Sequence, residues 1–277
     1  MPAPASTEQR RLDLLARAEL RVLGRMPWSS NATLLVELVE PTGDGDDDPT
    51  GDEPTDDRDG SGPTDDHDDG DGDSSGEPAG PALGRAIYKP AAGERPLWDF
   101  PEGLHRREVA AYDLAAALGW DLVPPTIRRD GPFGDGSLQW FVEADYDDHY
   151  FELLEDGSCH DQLRRLAAFD VVANSADRKG GHVLRDADGH LWAIDNGLCF
   201  HEELKLRTVI WDFAGEPLPA DLAEDLDRLV TTGVPEAVAA ALHPGECEAL
   251  LARARGLLAG GVLPSDPTGR RYPWPLV

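Results

Sequence analysis

The chain has 277 residues, enough for one large domain or two small lobes, and 40% of them are hydrophobic. Its 54 Asp and Glu outnumber its 25 Lys and Arg, giving a formal charge of −29. No global basic surface for nucleic acid or an anionic membrane is therefore evident. We therefore expect no nucleic-acid partner. No run of 18 apolar residues occurs, so we also expect no transmembrane segment.

The first residues and the cysteines indicate the compartment. The start, MPAPASTEQRRLDLLARAEL, lacks the apolar core of a signal peptide. Cys159, Cys199 and Cys247 are odd in number and widely spaced, which is typical of reduced thiols. We therefore expect a cytoplasmic protein, and we expect it to be a monomer.

The first predicted elements are a short amphipathic helix and a β-hairpin. Leucines recur among charges over residues 7–18, which favours the helix. Residues 19–26 and 33–40 are β-like runs that flank a Pro-Trp-Ser-Ser-Asn turn, which is a hairpin pattern.

An acidic segment interrupts this sheet. Residues 41–80 alone carry 14 Asp and 2 Glu against one Arg, with almost no apolar side chains. Such a segment cannot bury a core, so we predict a disordered insertion over residues 41–82. It is either a solvated loop or a segment that binds cations, docks a partner or inhibits the protein.

A strand over residues 84–90 and a helix from Leu104 to Gly119 follow. Glu108 lies on the apolar stripe of this helix, and a carboxylate in that position needs a partner. Lys89, at the strand end, is the natural candidate, and a surface contact with Arg107 or His105 is the alternative. Two further strands are predicted at residues 122–128 and 138–143.

Residues 169–200 carry the most informative pattern. They predict the end of a helix, a polar loop, a short strand, an Asp-Gly turn, a second strand and an acidic loop. Asp177 precedes the hairpin and Asp195 follows it, so both carboxylates should lie near one end of the strand pair. Two such carboxylates suit phosphoryl transfer, one for the attacking hydroxyl and one for Mg²⁺. The alternative is that both residues only form turns.

The remainder is predicted to be mainly helical. Leucine and alanine recur with helical periodicity over residues 219–232, 235–242 and 244–258. Before them, Lys205, Arg207 and Trp211 form a small basic and aromatic group. It either meets an anionic substrate or packs in the core.

The central motifs resemble the phosphatidylinositol 3-/4-kinase-like family. The matching residues are Asp177-Arg178, His182 and Asp195-Asn196-Gly197, and the words NSADR and AIDNGLCF look most like type II phosphatidylinositol 4-kinases and their bacterial relatives. The family usually has Asn where this chain has His182. The resemblance implies an α+β, reduced two-lobed protein-kinase-like fold, with an antiparallel N-lobe sheet in residues 1–143 and a mainly helical C-lobe in residues 144–277.

The resemblance also implies roles for single residues. Asp177 would be the base or positioning carboxylate, and Arg178 and Lys179 would neutralise charge on the transferred phosphoryl group. Asp195, with His182 beside it, would hold Mg²⁺, with Mn²⁺ as the alternative. The ATP-binding residues implied are Lys89, Glu108, Ser29, Ser30, Asn31, Ile87, Glu143 and Ile194. For the turn residues among them, an ordinary polar turn is an equal alternative.

The sequence thus predicts an ATP-dependent kinase that moves the γ-phosphate to an unidentified hydroxyl of a lipid, protein or small molecule. The alternatives are a catalytically weak pseudokinase that binds ATP as a regulatory module, and an unrelated acidic scaffold. His182 and the absence of a Gly-rich phosphate hairpin motivate the pseudokinase reading.

Overall fold

A computed structural model describes residues 6–27, 31–41 and 81–277. Ser29, Ser30 and nearly all of the predicted acidic insertion lie outside the described residues. The architecture is of the expected α+β class: a five-stranded antiparallel sheet comes first, and a mainly helical part follows.

The sheet has the order β1-β2-β3-β5-β4, and all neighbouring strands are antiparallel. Alternate side chains of its central strands, such as Val36, Leu38, Ala86 and Tyr88, form one buried core. The elements of this part are α1 (Thr7–Arg17), β1 (Glu19–Arg25), β2 (Leu34–Val39), β3 (Ala82–Pro90), α2 (Leu104–Leu118), β4 (Thr126–Gly131) and β5 (Gly134–Trp140).

The predicted positions of β4 and β5 are wrong by several residues. Both strands run up to a tight turn between Gly131 and Gly134, where Gly134 has φ +87°. Leu122 and Val123, predicted as the start of β4, are buried in the core of the helical part instead. Their apolar character therefore reflects packing between the two parts of the chain.

The helical part holds a short hairpin of β6 (Val183–Arg185) and β7 (Leu191–Ala193). Its core contains the large buried side chains Phe169 and Phe200. Its helices are α3 (Tyr150–Glu155), α4 (His160–Ala173), α5 (Ala220–Thr232), α6 (Glu236–Ala241) and α7 (Pro244–Gly260). Helix α3 was not predicted, because its two buried residues, Tyr150 and Leu153, lie among acidic neighbours and form no apolar stripe.

Helix α2 connects the two parts. The buried guanidinium of Arg107 donates to the Cys199 carbonyl at 2.7 Å and pairs with the buried carboxylate of Glu246 on α7. Because Arg107 is occupied in this way, the alternative in which it pairs with Glu108 is excluded. The orientation of α2, and with it the position of Glu108, is fixed by contacts to both parts.

Two further expectations can be compared with the described residues. Cys159, Cys199 and Cys247 are all free thiols. Within residues 6–27, 31–41 and 81–277, no helix combines the length and the apolar character needed to cross a membrane.

Candidate functional site

A cleft of about 580 Å³ lies between the sheet and the helical part. Strand β3, helix α2, the segment after β5 and the loops on either side of the β6–β7 hairpin contribute to its walls. The predicted site residues that line it are Asn31, Ile87, Lys89, Glu108, Asp177, Lys179, His182, Ile194 and Asp195.

Lys89 joins two carboxylates at the floor of the cleft. Its ammonium group forms the predicted ion pair with Glu108 and also donates to Asp195 Oδ1 at 2.8 Å. Burial alone would lower the pKa of Lys89, but Asp195 and Glu108 outweigh it, so this pKa is raised. The Lys89 ammonium in turn lowers the pKa of Asp195 against the effect of burial. Lys89 and Asp195 are therefore both charged at neutral pH.

Glu108 also holds residues 195–197, which we call the acidic loop. Its second oxygen accepts a hydrogen bond from the Asn196 N–H at 2.9 Å. A Cβ at Gly197 would lie 3.2 Å from Glu108 Oε1, so glycine allows the loop to approach α2. Asp195 itself has φ +58°, a left-handed conformation that Asp tolerates better than most residues.

Asp177 and Lys179 form the other wall. The Lys179 ammonium lies 3.1 Å from Asp177 Oδ2. Burial raises the pKa of Asp177, and Lys179 opposes this only in part. A carboxylate with a raised pKa beside a cationic group suits proton acceptance from a hydroxyl.

His182 lies between the two carboxylate loops. Its Nδ1 is 3.1 Å from the Asp177 carbonyl oxygen, and its Nε2 is 3.4 Å from Asp195 Oδ2. The Lys179 backbone N–H also lies 3.5 Å from Nδ1, so this ring nitrogen donates to the Asp177 carbonyl in one tautomer and accepts from Lys179 in the other. Burial lowers the pKa of His182 to about 4 although Asp195 opposes it, so the ring is neutral at neutral pH.

Arg178 does not face the cleft, which corrects the prediction that it would neutralise a transferred phosphoryl group. Its guanidinium is fully buried and donates to Asp170, to the Ile194 carbonyl at 2.6 Å and to Asn196 Oδ1 at 2.6 Å. All three guanidinium nitrogens of Arg178 thus donate to acceptors within the protein. Arg178 therefore connects α4 to the acidic loop, and Lys179 is the cation on the cleft side.

The side chains of two other predicted residues bind groups within the protein. Asn31 lines the cleft rim, but its Oδ1 accepts from the Arg95 backbone N–H at 3.0 Å. The Glu143 side chain is 78% exposed and pairs with Arg85. The adjacent Val142 lines the cleft.

The cleft end near Val142 is apolar. Val142 and Leu184 pack with Trp192 in a small cluster, and Ile194 lies against it. Ile87 lines the same cleft from the sheet side. Such a surface suits a flat heteroaromatic ring.

Sequence reasoning missed two residues that organise the site. Glu94 accepts from the Gly103 N–H at 3.0 Å and the His105 N–H at 2.7 Å and thereby holds the start of α2. This contact spans nine to eleven residues, so no local capping pattern reveals it. Asp170, the partner of Arg178, is a carboxylate in the apolar face of α4, and the argument applied to Glu108 could have found it.

The donor set limits which metal site the chain can offer. Among the residues that the structure describes, no three His, Cys, Asp or Glu side chains are grouped so that they could hold a metal ion. Mg²⁺ is usually bound through one or two carboxylates together with substrate phosphates. Asp195, with His182 Nε2 at 3.4 Å, fits that arrangement when phosphates supply the other ligands.

Known proteins that are similar to this chain include a curated relative and two solved structures. No family model matches the chain. A structure of hydra Fam20 with sugar aligns with 93% of this chain and 90% of its own, at 12% identity and a TM-score of 0.46. The Helicobacter pylori proinflammatory kinase CtkA aligns with 65% of this chain and 88% of its own, at 12% identity and a TM-score of 0.39. Both scores are below 0.5, so neither likeness carries an argument about the function.

The curated relative is more similar in sequence. Protein Rv2133c of Mycobacterium tuberculosis is 35% identical over an alignment that covers 95% of this chain and 94% of that protein. Its name states no activity. This identity and coverage show that the chain belongs to the family of protein Rv2133c.

Proposed function

We propose that the chain is an ATP-dependent phosphotransferase of the phosphatidylinositol 3-/4-kinase-like family. One observation carries the proposal: the Lys89–Glu108–Asp195 group and the Asp177–Lys179 pair face the same cleft. A lysine on the third strand paired with a glutamate on the following helix is a feature of protein kinase N-lobes. This group would otherwise be a costly concentration of half-buried charge.

In the proposed reaction, the adenine of ATP occupies the apolar end of the cleft and Lys89 contacts its phosphates. The acceptor hydroxyl oxygen forms a bond to the γ-phosphorus while the bond from that phosphorus to the β,γ-bridging oxygen breaks, and ADP leaves. Asp177 orients the hydroxyl and accepts its proton. Lys179 offsets the negative charge on the transferred group.

Asp195 and His182 are the residues that would hold a divalent cation. When bound, the cation would neutralise charge on the β- and γ-phosphates. Lys89 would then keep its contact with Glu108 and turn from Asp195 towards the phosphates, since Glu108 is the more buried of its two partners.

A second candidate is a module that binds ATP without transferring phosphate. His182 favours it, because an imidazole stands where the resembled family has an amide oxygen, and Mg²⁺ prefers oxygen ligands. The two candidates predict the same nucleotide binding and differ in turnover.

Two successive experiments test the proposal. Isothermal titration with ATP and Mg²⁺ should show binding, and absence of binding would contradict both candidates. Incubation with γ-labelled ATP should then release labelled phosphate or label the protein, and binding without either would favour the regulatory module. Labelled ATP with phosphoinositide vesicles, proteins and small polyols would identify the acceptor class.

His182→Asn should change the metal preference of the enzyme. Imidazole favours Mn²⁺ over Mg²⁺ more than an amide oxygen does, so the variant should show a lower ratio of Mn²⁺- to Mg²⁺-supported activity, by about threefold or more at pH 7.5. The measurement is the rate of ATP turnover at saturating concentrations of each metal. An unchanged ratio would remove His182 from the proposed metal site.

A further inference from the structure

The last residues of the chain lie against the loop that carries Asp177 and Lys179. We call residues 271–277 the C-terminal strap. The turn that leads into it is held by Asp266, whose carboxylate accepts from the Arg271 N–H at 2.8 Å. The strap then runs past the segment that follows the acidic loop and ends beside Gly180.

The strap contacts the Asp177 loop directly through its backbone. The Gly180 N–H donates to the Leu276 carbonyl at 2.7 Å. A Cβ at Gly180 would lie 3.3 Å from Val277 Cγ2 and 3.3 Å from Phe151, so the missing side chain at this position allows the close approach. Gly180 is the residue after Lys179, and its amide is held by nothing else that the described residues show.

A second contact reaches the same loop indirectly. The Arg271 carbonyl accepts from the Thr208 N–H and from Trp211 Nε1, both at 3.1 Å. The segment 207–209 is in turn bonded to both backbone groups of Arg178, at 3.0 and 3.1 Å. The strap therefore supports the Asp177 loop from two sides.

The geometry favours support over obstruction. None of the strap residues, all of which are described, lines the cleft. Trp274 is 87% exposed and Val277 53% exposed, so the strap does not insert large side chains into the site. A segment that blocked the cleft would instead bury side chains there.

We infer that the C-terminal strap is a positioning element, which holds Asp177 and Lys179 in their working geometry through the bond between the Leu276 carbonyl and the Gly180 amide. The effect on catalysis rests on the proposed phosphotransferase function, whereas the effect on the loop does not. Small displacements of groups that orient a reacting hydroxyl have large effects on rate.

The first test measures the loop itself, without nucleotide. Deleting residues 274–277 should speed hydrogen exchange of the Gly180 amide by about tenfold or more, and leave the amides of α4 and α7 unchanged. Unchanged exchange at Gly180 would overturn the inference whatever the protein's activity. Faster hydrogen exchange throughout the helices would also overturn the inference, because the strap would then be a general stabilising element.

The second test is a double-mutant cycle on ATP hydrolysis, with water as the acceptor. The deletion and Gly180→Ala should each lower kcat by about 10- to 100-fold, with the Kd for ATP changed by less than about threefold. Gly181→Ala is the matched control, because its Cβ would meet Val277 at an ordinary 3.7 Å, and it should cause a smaller loss. In the deletion background, Gly180→Ala should have a smaller effect than in the full chain, because only the contact of its Cβ with Phe151 remains.

The outcomes separate the two proposals. If the wild type neither binds nor hydrolyses ATP, the proposed function fails and the exchange experiment alone decides the role of the strap. If the wild type hydrolyses ATP and the deletion leaves kcat unchanged, the positioning role is wrong. A rise in kcat after deletion would also overturn it and would indicate an inhibitory segment. Full additivity of the two changes would overturn it as well, because Gly180 and the strap would then act independently.

Discussion

Asp195→Asn should lower Mg²⁺-dependent ATP turnover by about 100- to 1000-fold while the protein stays folded. Asn has nearly the shape of Asp and tolerates the left-handed conformation of residue 195, φ +58°. It lacks the negative charge that pairs with Lys89 at 2.8 Å and that would hold the cation. The change therefore removes charge from the site and leaves the backbone unstrained, which Asp195→Ala would not.

The stability of this variant should change little. The Asp195 side chain is 53% exposed, and Lys89 keeps its pair with the buried Glu108. An exposed ion pair contributes about 0–1 kcal/mol to the free energy of unfolding, so the urea midpoint should stay close to that of the wild type.

A matched control comes from the other end of the same hairpin. Asp188→Asn makes the same chemical change in the exposed turn between β6 and β7, and it should leave turnover at the wild-type level. Turnover would be measured at saturating ATP with Mg²⁺ titrated. If Asp195→Asn turns over Mg-ATP like the wild type, Asp195 is not the metal ligand.

The elements that sequence could predict are those encoded by local patterns. Helix α2 ends at Gly119 in a left-handed conformation, which the glycine after an apolar stripe indicates. Lys89 and Glu108 could be paired from sequence because a carboxylate on an apolar stripe requires a cation. The hairpin around the Asp188-Gly189 turn likewise follows from its own residues, and it brings Asp177 and Asp195 to one cleft.

The parts that sequence could not predict depend on contacts between distant segments. Arg178 follows Asp177 directly, and nothing local distinguishes a cation that faces a cleft from one that is buried against Asp170. The strap is equally hidden, because residues 271–277 have no periodicity and act through backbone atoms. The shifts of β4 and β5 have the same origin, since Leu122 and Val123 pack on helices that come later in the chain.

Asp170→Ala should lower the free energy of unfolding by about 3–5 kcal/mol. Asp170 is fully buried, and its carboxylate accepts from Arg178 Nε at 3.1 Å and from Thr208 Oγ1 at 2.9 Å. Burial raises the pKa of Asp170, while Arg178 and Thr208 oppose that effect. Without the carboxylate, the guanidinium of Arg178 becomes a buried charge with no counter-charge beside it.

The control is an ion pair of the same residue types at the surface. Asp221 is 61% exposed and lies 3.3 Å from Arg165, so Asp221→Ala should cost less than about 1 kcal/mol. Both variants would be unfolded with urea at pH 7 and followed by circular dichroism. A cost below about 1 kcal/mol for Asp170→Ala would show that water reaches Arg178 and that the pair is not the link between α4 and the acidic loop.

A double replacement separates stability from positioning. Replacing a buried ion pair with apolar side chains of similar volume is often neutral, so Asp170→Leu combined with Arg178→Met should recover most of the lost stability. It should not recover ATP turnover, because Arg178 also holds the Ile194 carbonyl and Asn196, the residues on either side of Asp195. Recovery of both stability and turnover would mean that Asp195 is positioned by Glu108 and Lys89 alone. Recovery of stability without turnover would show that Arg178 aligns the acidic loop. The presence of Arg178 next to Asp177 would then be explained without any contact between Arg178 and phosphate.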